Sequence, residues 1–182
     1  MVVLITGGAA SGKSQFAEKL ACSLGGRKAY LATMNVCDDE TRDRVARHRA
    51  LRAGSGFDTF ECPFFLPCDR LAGKYDTVLL ECMSNLLANV MFPRNLSGAD
   101  AAGIICGELH GLFRAVPNVA VVTNEVFSDG VGYSGATLEY IKALGGINRR
   151  AAVMSDAVAE IVCGAPVVYK GAKELGKYVP LF

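Results

Sequence analysis

Short runs of apolar residues alternate along this chain with longer segments in which apolar residues recur at helical spacing. Runs such as "TVLLEC" and "VAVVTNEV" are almost continuously apolar, which is typical of strands that helices cover on both faces of a parallel sheet. Strands are predicted at residues 2–6, 29–34, 77–82, 119–126, 157–163 and 167–169. Helices are predicted at about 13–24, 39–52, 84–91, 98–116 and 136–154. The alternation favours an α/β fold with a doubly wound, mostly parallel sheet, and "AEIVCGAPVVYKG" predicts a closing C-terminal hairpin.

The composition is typical of a globular protein. The chain has 182 residues, of which 51% are hydrophobic and 20% charged, so residues 1–182 are predicted to form a single domain. A formal net charge of +1 predicts no general attraction to nucleic acid or to an anionic membrane, and any anion site must be local. No apolar stretch reaches the ~18–20 residues that span a bilayer. With seven cysteines, no C-x-x-C pair and two histidines, we expect reduced thiols and a cytoplasmic protein.

The stretch "GGAASGKS" at residues 7–14 fits the pattern G-x-x-x-x-G-K-[ST]. It lies between a predicted strand and a predicted helix, which is the context that a phosphate-binding P-loop requires. Backbone N–H groups of such a loop surround phosphate oxygens, and the positive end of the following helix adds to the attraction. Lys13 would reach the β- and γ-phosphates of a nucleotide, and the Ser14 hydroxyl would bind Mg²⁺. The predicted nucleotide-binding residues of the loop are Gly7, Gly8, Ala9, Ala10, Ser11, Gly12, Lys13 and Ser14.

Glu81 follows four apolar residues in "YDTVLLEC". An acidic residue at the end of a buried strand near a P-loop is a candidate magnesium ligand, so Glu81 is predicted to bind Mg²⁺ together with Ser14. The alternatives are an ordinary strand-end carboxylate that faces solvent, or Asp76, which precedes the same apolar run. We also include Glu61 in the predicted nucleotide-binding set.

A third candidate is the arginine-rich helix predicted within "DDETRDRVARHRALR". At 3.6 residues per turn, Arg44, His48 and Arg52 lie on one face of it. On composition alone this is a solvated, charged helix face. The functional alternative is that the arginines attract polyphosphate and keep the neighbouring imidazole neutral. A neutral imidazole can act as a nucleophile toward phosphorus, so His48 is a predicted catalytic residue, with Arg44 and Arg52 in the nucleotide site.

The fourth candidate is the glycine-rich segment "VVTNEVFSDGVGYSG". Asn124 and Glu125 close an apolar strand there, and ligands of open α/β sheets sit beyond the carboxyl ends of the strands. A long surface loop without function is the alternative.

Taken together, these features resemble the bifunctional adenosylcobinamide kinase/adenosylcobinamide-phosphate guanylyltransferase family of cobalamin biosynthesis. The resemblance covers nearly the whole chain. It rests on "ITGGAASGKSQFAE", "ATMNVCDDETRDRVARHRALR", "LLECMSNLLAN", "VTNEV" and "GGINRRAAVMSDAVAEIVCGAPVVYKG", in the family's order.

The resemblance implies a RecA-like P-loop enzyme with two activities. It would phosphorylate the aminopropanol hydroxyl of adenosylcobinamide with ATP or GTP, and then transfer GMP from GTP onto that phosphate. The family's guanylylated histidine falls on His48. The resemblance also implies a homo-oligomer, typically a trimer, with sites near the subunit boundaries.

This chain departs from the family's pattern at several positions. It has Ala10 where arginine is common, Arg47 in place of the first histidine of a His-His pair, and "FSDGVGYSG" after "VTNEV". Two other functions therefore stay open at this point. One is a P-loop kinase of another small metabolite without nucleotidyl transfer. The other is a GTPase-like binding module, for which "DGVG" matches a switch motif but no N-K-x-D motif is present.

Overall fold

The computed structural model of the protein describes residues 1–35, 54–128 and 130–181. These residues form a seven-stranded sheet with the order β3-β2-β4-β5-β1-β6-β7. Neighbouring strands are parallel, except for the antiparallel pair β6 and β7. The strands are β1 (Val2–Thr6), β2 (Lys28–Ala32), β3 (Phe57–Glu61), β4 (Thr77–Glu81), β5 (Asn118–Val122), β6 (Ala157–Val162) and β7 (Ala165–Lys170).

Helices cover both faces of this sheet. They are α1 (Lys13–Leu24), α2 (Cys68–Leu71), α3 (Met83–Met91), α4 (Gly98–Ala115), α5 (Gly135–Met154) and α6 (Ala172–Leu175). Side chains of β1 alternate between two hydrophobic clusters. Val3 and Ile5 pack with α1 and α6, whereas Val2 and Leu4 pack with α3, α4 and α5. Because both faces are buried, the central strands are apolar throughout, as predicted.

The predicted fold class is confirmed. It is a doubly wound, mostly parallel α/β sheet with a C-terminal hairpin. The order places β5 between β1 and β4, so the strand before the P-loop and the strand that ends in Glu81 are not direct neighbours. The assignment of residues 1–182 to one domain stays a prediction.

The sequence analysis predicted one strand that is too long and missed another strand. The strand predicted at 119–126 ends at Val122, and the next residues leave the sheet to contact the P-loop and α5. Strand β3 was missed because it pairs on one side only, with β2, and so keeps exposed polar residues instead of an apolar run. The helix predicted at 39–52 lies outside the described residues.

Helix α4 begins where its sequence provides a cap. The Ser97 hydroxyl accepts a hydrogen bond from the Asp100 N–H (3.2 Å) and donates one to the Asp100 carboxylate (2.7 Å). Such caps satisfy the N–H groups at a helix start, which have no partner within the helix.

Candidate nucleotide and magnesium site

The P-loop joins β1 to α1 and is held from two sides. The Glu125 N–H, just after β5, donates to the Gly7 carbonyl (3.0 Å), and the Gly164 N–H in the turn of the β6–β7 hairpin donates to the Ser11 carbonyl (2.9 Å). At the start of α1, Gly12 has φ 93° and ψ 2°, a left-handed conformation. A Cβ atom at Gly12 would lie 3.3 Å from the Gly164 Cα. Glycine is therefore required both by the backbone conformation and by the approach of the hairpin.

Lys13 is folded back into this loop. Its side chain is buried, with 9% exposed, and its Nζ donates to the Gly8 carbonyl at 3.0 Å. This contact places the Lys13 ammonium within residues 7–14, the whole predicted P-loop set. A buried cation at the start of a helix is suited to bind polyphosphate.

Ser14 and Glu81 are brought together across the intervening strand β5. The Ser14 hydroxyl donates to Glu81 Oε1, and the Tyr30 hydroxyl donates to Glu81 Oε2 at 3.0 Å. These three side chains, with Lys13, line a cavity of about 210 Å³ at the carboxyl ends of the strands. The hydroxyl and the carboxylate supply two adjacent oxygen donors beside the P-loop. Mg²⁺ bound to nucleotides is usually held by one or two such protein oxygens, phosphate oxygens and water, so these residues fit that ion.

A second set of hydrogen bonds holds the chain just after Glu81. The Thr33 hydroxyl donates to the Cys82 carbonyl and accepts from the Cys82 N–H, both at 2.7 Å. The Asn124 side-chain amide donates to the Ser84 hydroxyl (2.6 Å), and the Tyr140 hydroxyl donates to the Ser84 carbonyl (3.1 Å). These contacts tie the ends of β2, β4 and β5 and helix α5 together around the cavity.

Burial keeps two titratable groups of this network neutral. It raises the pKa of the Cys82 thiol and raises the pKa of the Tyr140 hydroxyl to about 12. Because only the thiolate is a strong nucleophile, Cys82 is poorly suited to covalent catalysis despite its position beside Glu81.

The other acidic candidates lie elsewhere. Asp76 stands before β4, at the opposite edge of the sheet, where its carboxylate accepts from the Arg27 N–H (2.8 Å) and shapes a turn. Glu61 ends β3, two strands away from Glu81, so their Cα atoms are roughly 10 Å apart at the usual strand spacing. Glu61 is exposed and lines a separate cavity of about 310 Å³. The structure therefore groups Glu81, and neither Asp76 nor Glu61, with the P-loop. His48, Arg44 and Arg52 lie outside the described residues.

Tyr30, Thr33, Ser84 and Tyr140 were missed by the sequence analysis. A signal was available for the first two, since each is a polar group at or near the carboxyl end of an apolar strand. A hydroxyl buried in such a strand needs a hydrogen-bond partner. Nothing in the local pattern indicates that Ser84 and Tyr140 meet, because 56 residues separate them.

The family comparison covers almost the same residues as the sheet. A family model described as cobinamide kinase / cobinamide phosphate guanyltransferase matches residues 3–169. The chain belongs to this family. The predicted family resemblance is therefore confirmed. The prediction that the chain is an enzyme is also confirmed, since this family is defined by a kinase and a nucleotidyltransferase activity. Its P-loop fold implies nucleoside triphosphate substrates.

Curated relatives match along nearly their whole length. A bifunctional adenosylcobalamin biosynthesis protein CobP from Pseudomonas aeruginosa is 32% identical over 176 residues, covering 92% of this chain and 96% of the relative. Proteins named CobU, from Salmonella typhimurium and Escherichia coli, are 31% and 30% identical over 93% of this chain and 100% of their own length. A solved KaiC-like protein from Pyrococcus horikoshii aligns with 87% of this chain and 71% of its own, at a TM-score of 0.46 and 14% identity.

Across the described part of the chain, every helix is too short or too polar to cross a membrane. The cytoplasmic location and the lack of attraction to nucleic acid stay predictions.

Proposed function

We propose that this protein phosphorylates the hydroxyl of adenosylcobinamide with a nucleoside triphosphate and then transfers GMP from GTP to that phosphate. The products would be adenosylcobinamide-GDP and pyrophosphate. Family membership over residues 3–169 supports both steps. The observation that carries the proposal for the kinase step is the contact of Ser14 with Glu81 beside the buried Lys13.

In the kinase step, the P-loop N–H groups and Lys13 hold the β- and γ-phosphates. Ser14 and Glu81 bind Mg²⁺, and Tyr30 orients the Glu81 carboxylate through its hydrogen bond. The bound ion would neutralise phosphate charge as the γ-phosphoryl group transfers. Lys13 would stabilise the same charge with its ammonium group. Either ATP or GTP fits this scheme, since none of these contacts involves the base.

In the GMP-transfer step, the neutral imidazole of His48 attacks the α-phosphate of GTP and pyrophosphate leaves. The resulting phosphoramidate then passes GMP to the phosphate of the corrinoid. Arg44 and Arg52, one turn to either side on the predicted helix, neutralise the departing pyrophosphate. Supporting this assignment, burial raises the pKa of Cys82, so the thiol nearest to Glu81 in sequence is not a competing nucleophile.

Two labels of GTP test the two steps separately. The protein is incubated with adenosylcobinamide, Mg²⁺ and GTP labelled at the γ-phosphate, and transfer of the label to the corrinoid is measured. A parallel sample without corrinoid uses GTP labelled at the α-phosphate, followed by denaturing electrophoresis. Label on both the corrinoid and the protein supports the proposal. Label on neither contradicts it, and label on the corrinoid alone indicates a kinase without nucleotidyl transfer.

Glu81→Gln is expected to raise the Mg²⁺ concentration needed for half-maximal kinase turnover by roughly 10-fold or more. Glutamine keeps an oxygen that can accept from Ser14 but loses the negative charge that attracts the cation. The measurement is turnover against Mg²⁺ concentration. Asp76→Asn, before the same strand at its other end, is the matched control and should leave the curve unchanged. An unchanged magnesium requirement in Glu81→Gln would remove Glu81 from the metal site.

We also propose a homo-oligomer, a trimer by the family resemblance. A corrinoid is much larger than ordinary metabolites, and a cleft shared between subunits would add contact surface to this chain. Light scattering at micromolar concentration should therefore give a multiple of 19.3 kDa. A fully active monomer would contradict this.

A further inference from the structure

A second cavity opens next to the P-loop, beyond the carboxyl end of β5. Its volume is about 470 Å³, and it lies between the segment that follows β5 and the first turns of α5. Glu125 and Ser128 line one side, and Tyr133, Thr137 and Tyr140 line the other. We call this cavity the loop pocket.

One peptide bond separates the loop pocket from the cavity that contains Ser14 and Glu81. Asn124 lines that cavity, and the next residue, Glu125, lines the loop pocket. The Glu125 N–H also donates to the Gly7 carbonyl at 3.0 Å. A molecule in the loop pocket would therefore lie close to the P-loop.

The two oxygens of the Glu125 carboxylate differ in their hydrogen bonds. Oε1 accepts hydrogen bonds from the Phe127 N–H (2.8 Å) and from the Ser128 hydroxyl (3.1 Å). Within the described ranges 1–35, 54–128 and 130–181, no hydrogen bond is made to Oε2. One oxygen thus orients the carboxylate, and the other is free to accept a proton from a bound molecule.

The opposite side of the loop pocket is aromatic and held rigidly. The Tyr140 ring stacks on Phe92, with ring centroids 5.9 Å apart and planes 26° from parallel, and its hydroxyl is tied to the Ser84 carbonyl. Val126 and Ile141 complete the apolar lining. An apolar side and the Glu125 carboxylate suit an alcohol at the end of an arm attached to a large apolar body.

We propose that the loop pocket receives the hydroxyl-bearing arm of the phosphoryl acceptor and that Glu125 is the general base of the kinase step. This inference rests on the proposed function. The O–H bond of the acceptor breaks as its proton passes to Glu125 Oε2, and the oxygen forms a bond to the γ-phosphorus. The bond between the γ-phosphorus and the β,γ-bridging oxygen breaks, and the nucleoside diphosphate leaves. Glu125 then releases the proton to solvent.

Glu125→Gln separates this role from a purely structural one. Glutamine retains an oxygen that can accept the turn's two hydrogen bonds but is not a proton acceptor. We expect kinase kcat to fall by about 100-fold or more, with the KM for nucleotide and the α-phosphate labelling of the protein unchanged.

Glu139→Gln is the matched control, since it removes an exposed carboxylate of α5 that lies outside the loop pocket. It should retain near-normal kcat. A Glu125→Gln kcat within about threefold of wild type, or an equal loss in Glu139→Gln, would overturn the assignment of a base. These outcomes are distinct from failure of the proposed function, in which the wild type itself does not phosphorylate the corrinoid.

Thr137→Trp tests the occupant of the loop pocket. A large side chain at this exposed position on α5 would fill space that the arm needs. We expect the KM for the corrinoid to rise about tenfold, equivalent to about 1.4 kcal/mol, with the KM for nucleotide unchanged. An unchanged corrinoid KM would show that the arm binds elsewhere.

Discussion

Lys13→Ala is expected to abolish phosphoryl transfer from the nucleoside triphosphate. The Lys13 side chain is 9% exposed and its Nζ is held at the Gly8 carbonyl, within the P-loop backbone. Charge develops on the γ-phosphoryl oxygens during transfer, and a preorganised cation in a water-poor site stabilises it far more than solvent does. A loss in kcat on the order of 10³-fold or greater follows. The measurement is transfer of γ-phosphate label to the corrinoid at saturating Mg²⁺.

Lys19→Ala provides the control for this prediction. Lys19 lies on the same helix, α1, but its side chain is exposed, so it has the same chemistry without the placement in the P-loop. Its removal should leave turnover near the wild-type level. If Lys13→Ala also turned over normally, the assignment of residues 7–14 as the phosphate site would be wrong.

His48→Ala is expected to eliminate both the covalent GMP adduct and the guanylyltransferase activity. A nucleophile for this step must attack the α-phosphate and later leave. The neutral imidazole does both through a phosphoramidate. The wild-type adduct should survive alkali and be lost in acid, as expected for a phosphorus–nitrogen bond. Kinase turnover through Lys13 and Ser14 should stay measurable, because those residues lie in the P-loop rather than in the predicted arginine-rich helix. The readout is α-phosphate label retained by the denatured protein.

His110→Ala is the matched control, since the chain has two histidines and His110 is exposed on α4. The control should take up label as the wild type does. Persistent labelling of His48→Ala would assign the nucleophile to another residue. A wild type that never takes up label would indicate a kinase alone.

The P-loop could be predicted from eight consecutive residues because its chemistry is local. The lysine, the hydroxyl and the glycines that the loop needs are neighbours in sequence, and the flanking strand and helix have their own periodicity. The bounds of β1 and α1 agree with the prediction for the same reason. The buried strands β4 and β6 were also predicted. A strand that is buried on both faces, or that pairs in a hairpin, shows a recognisable hydrophobic pattern in its own residues.

Contacts between distant segments could not be predicted in this way. Sequence placed Glu81 at a strand end, but its contact with Ser14 depends on the sheet order, which puts β5 between their two strands. Likewise, the end of β5 at Val122 follows from the contact of Glu125 with the P-loop, although the apolar run in sequence continues to Val126.

The sequence by itself determined the fold class, the P-loop and the family, because each of these is encoded in local patterns or in their order along the chain. The tertiary structure alone decided which acidic side chain accompanies the P-loop, how Tyr30 orients it, and where Glu125 and Tyr140 form the loop pocket. These arrangements depend on strand order and on the packing of α5 against the sheet, which bring together side chains that are tens of residues apart in the chain. Hydrophobic periodicity carries no information about such pairings, since it reports only which face of an element is buried.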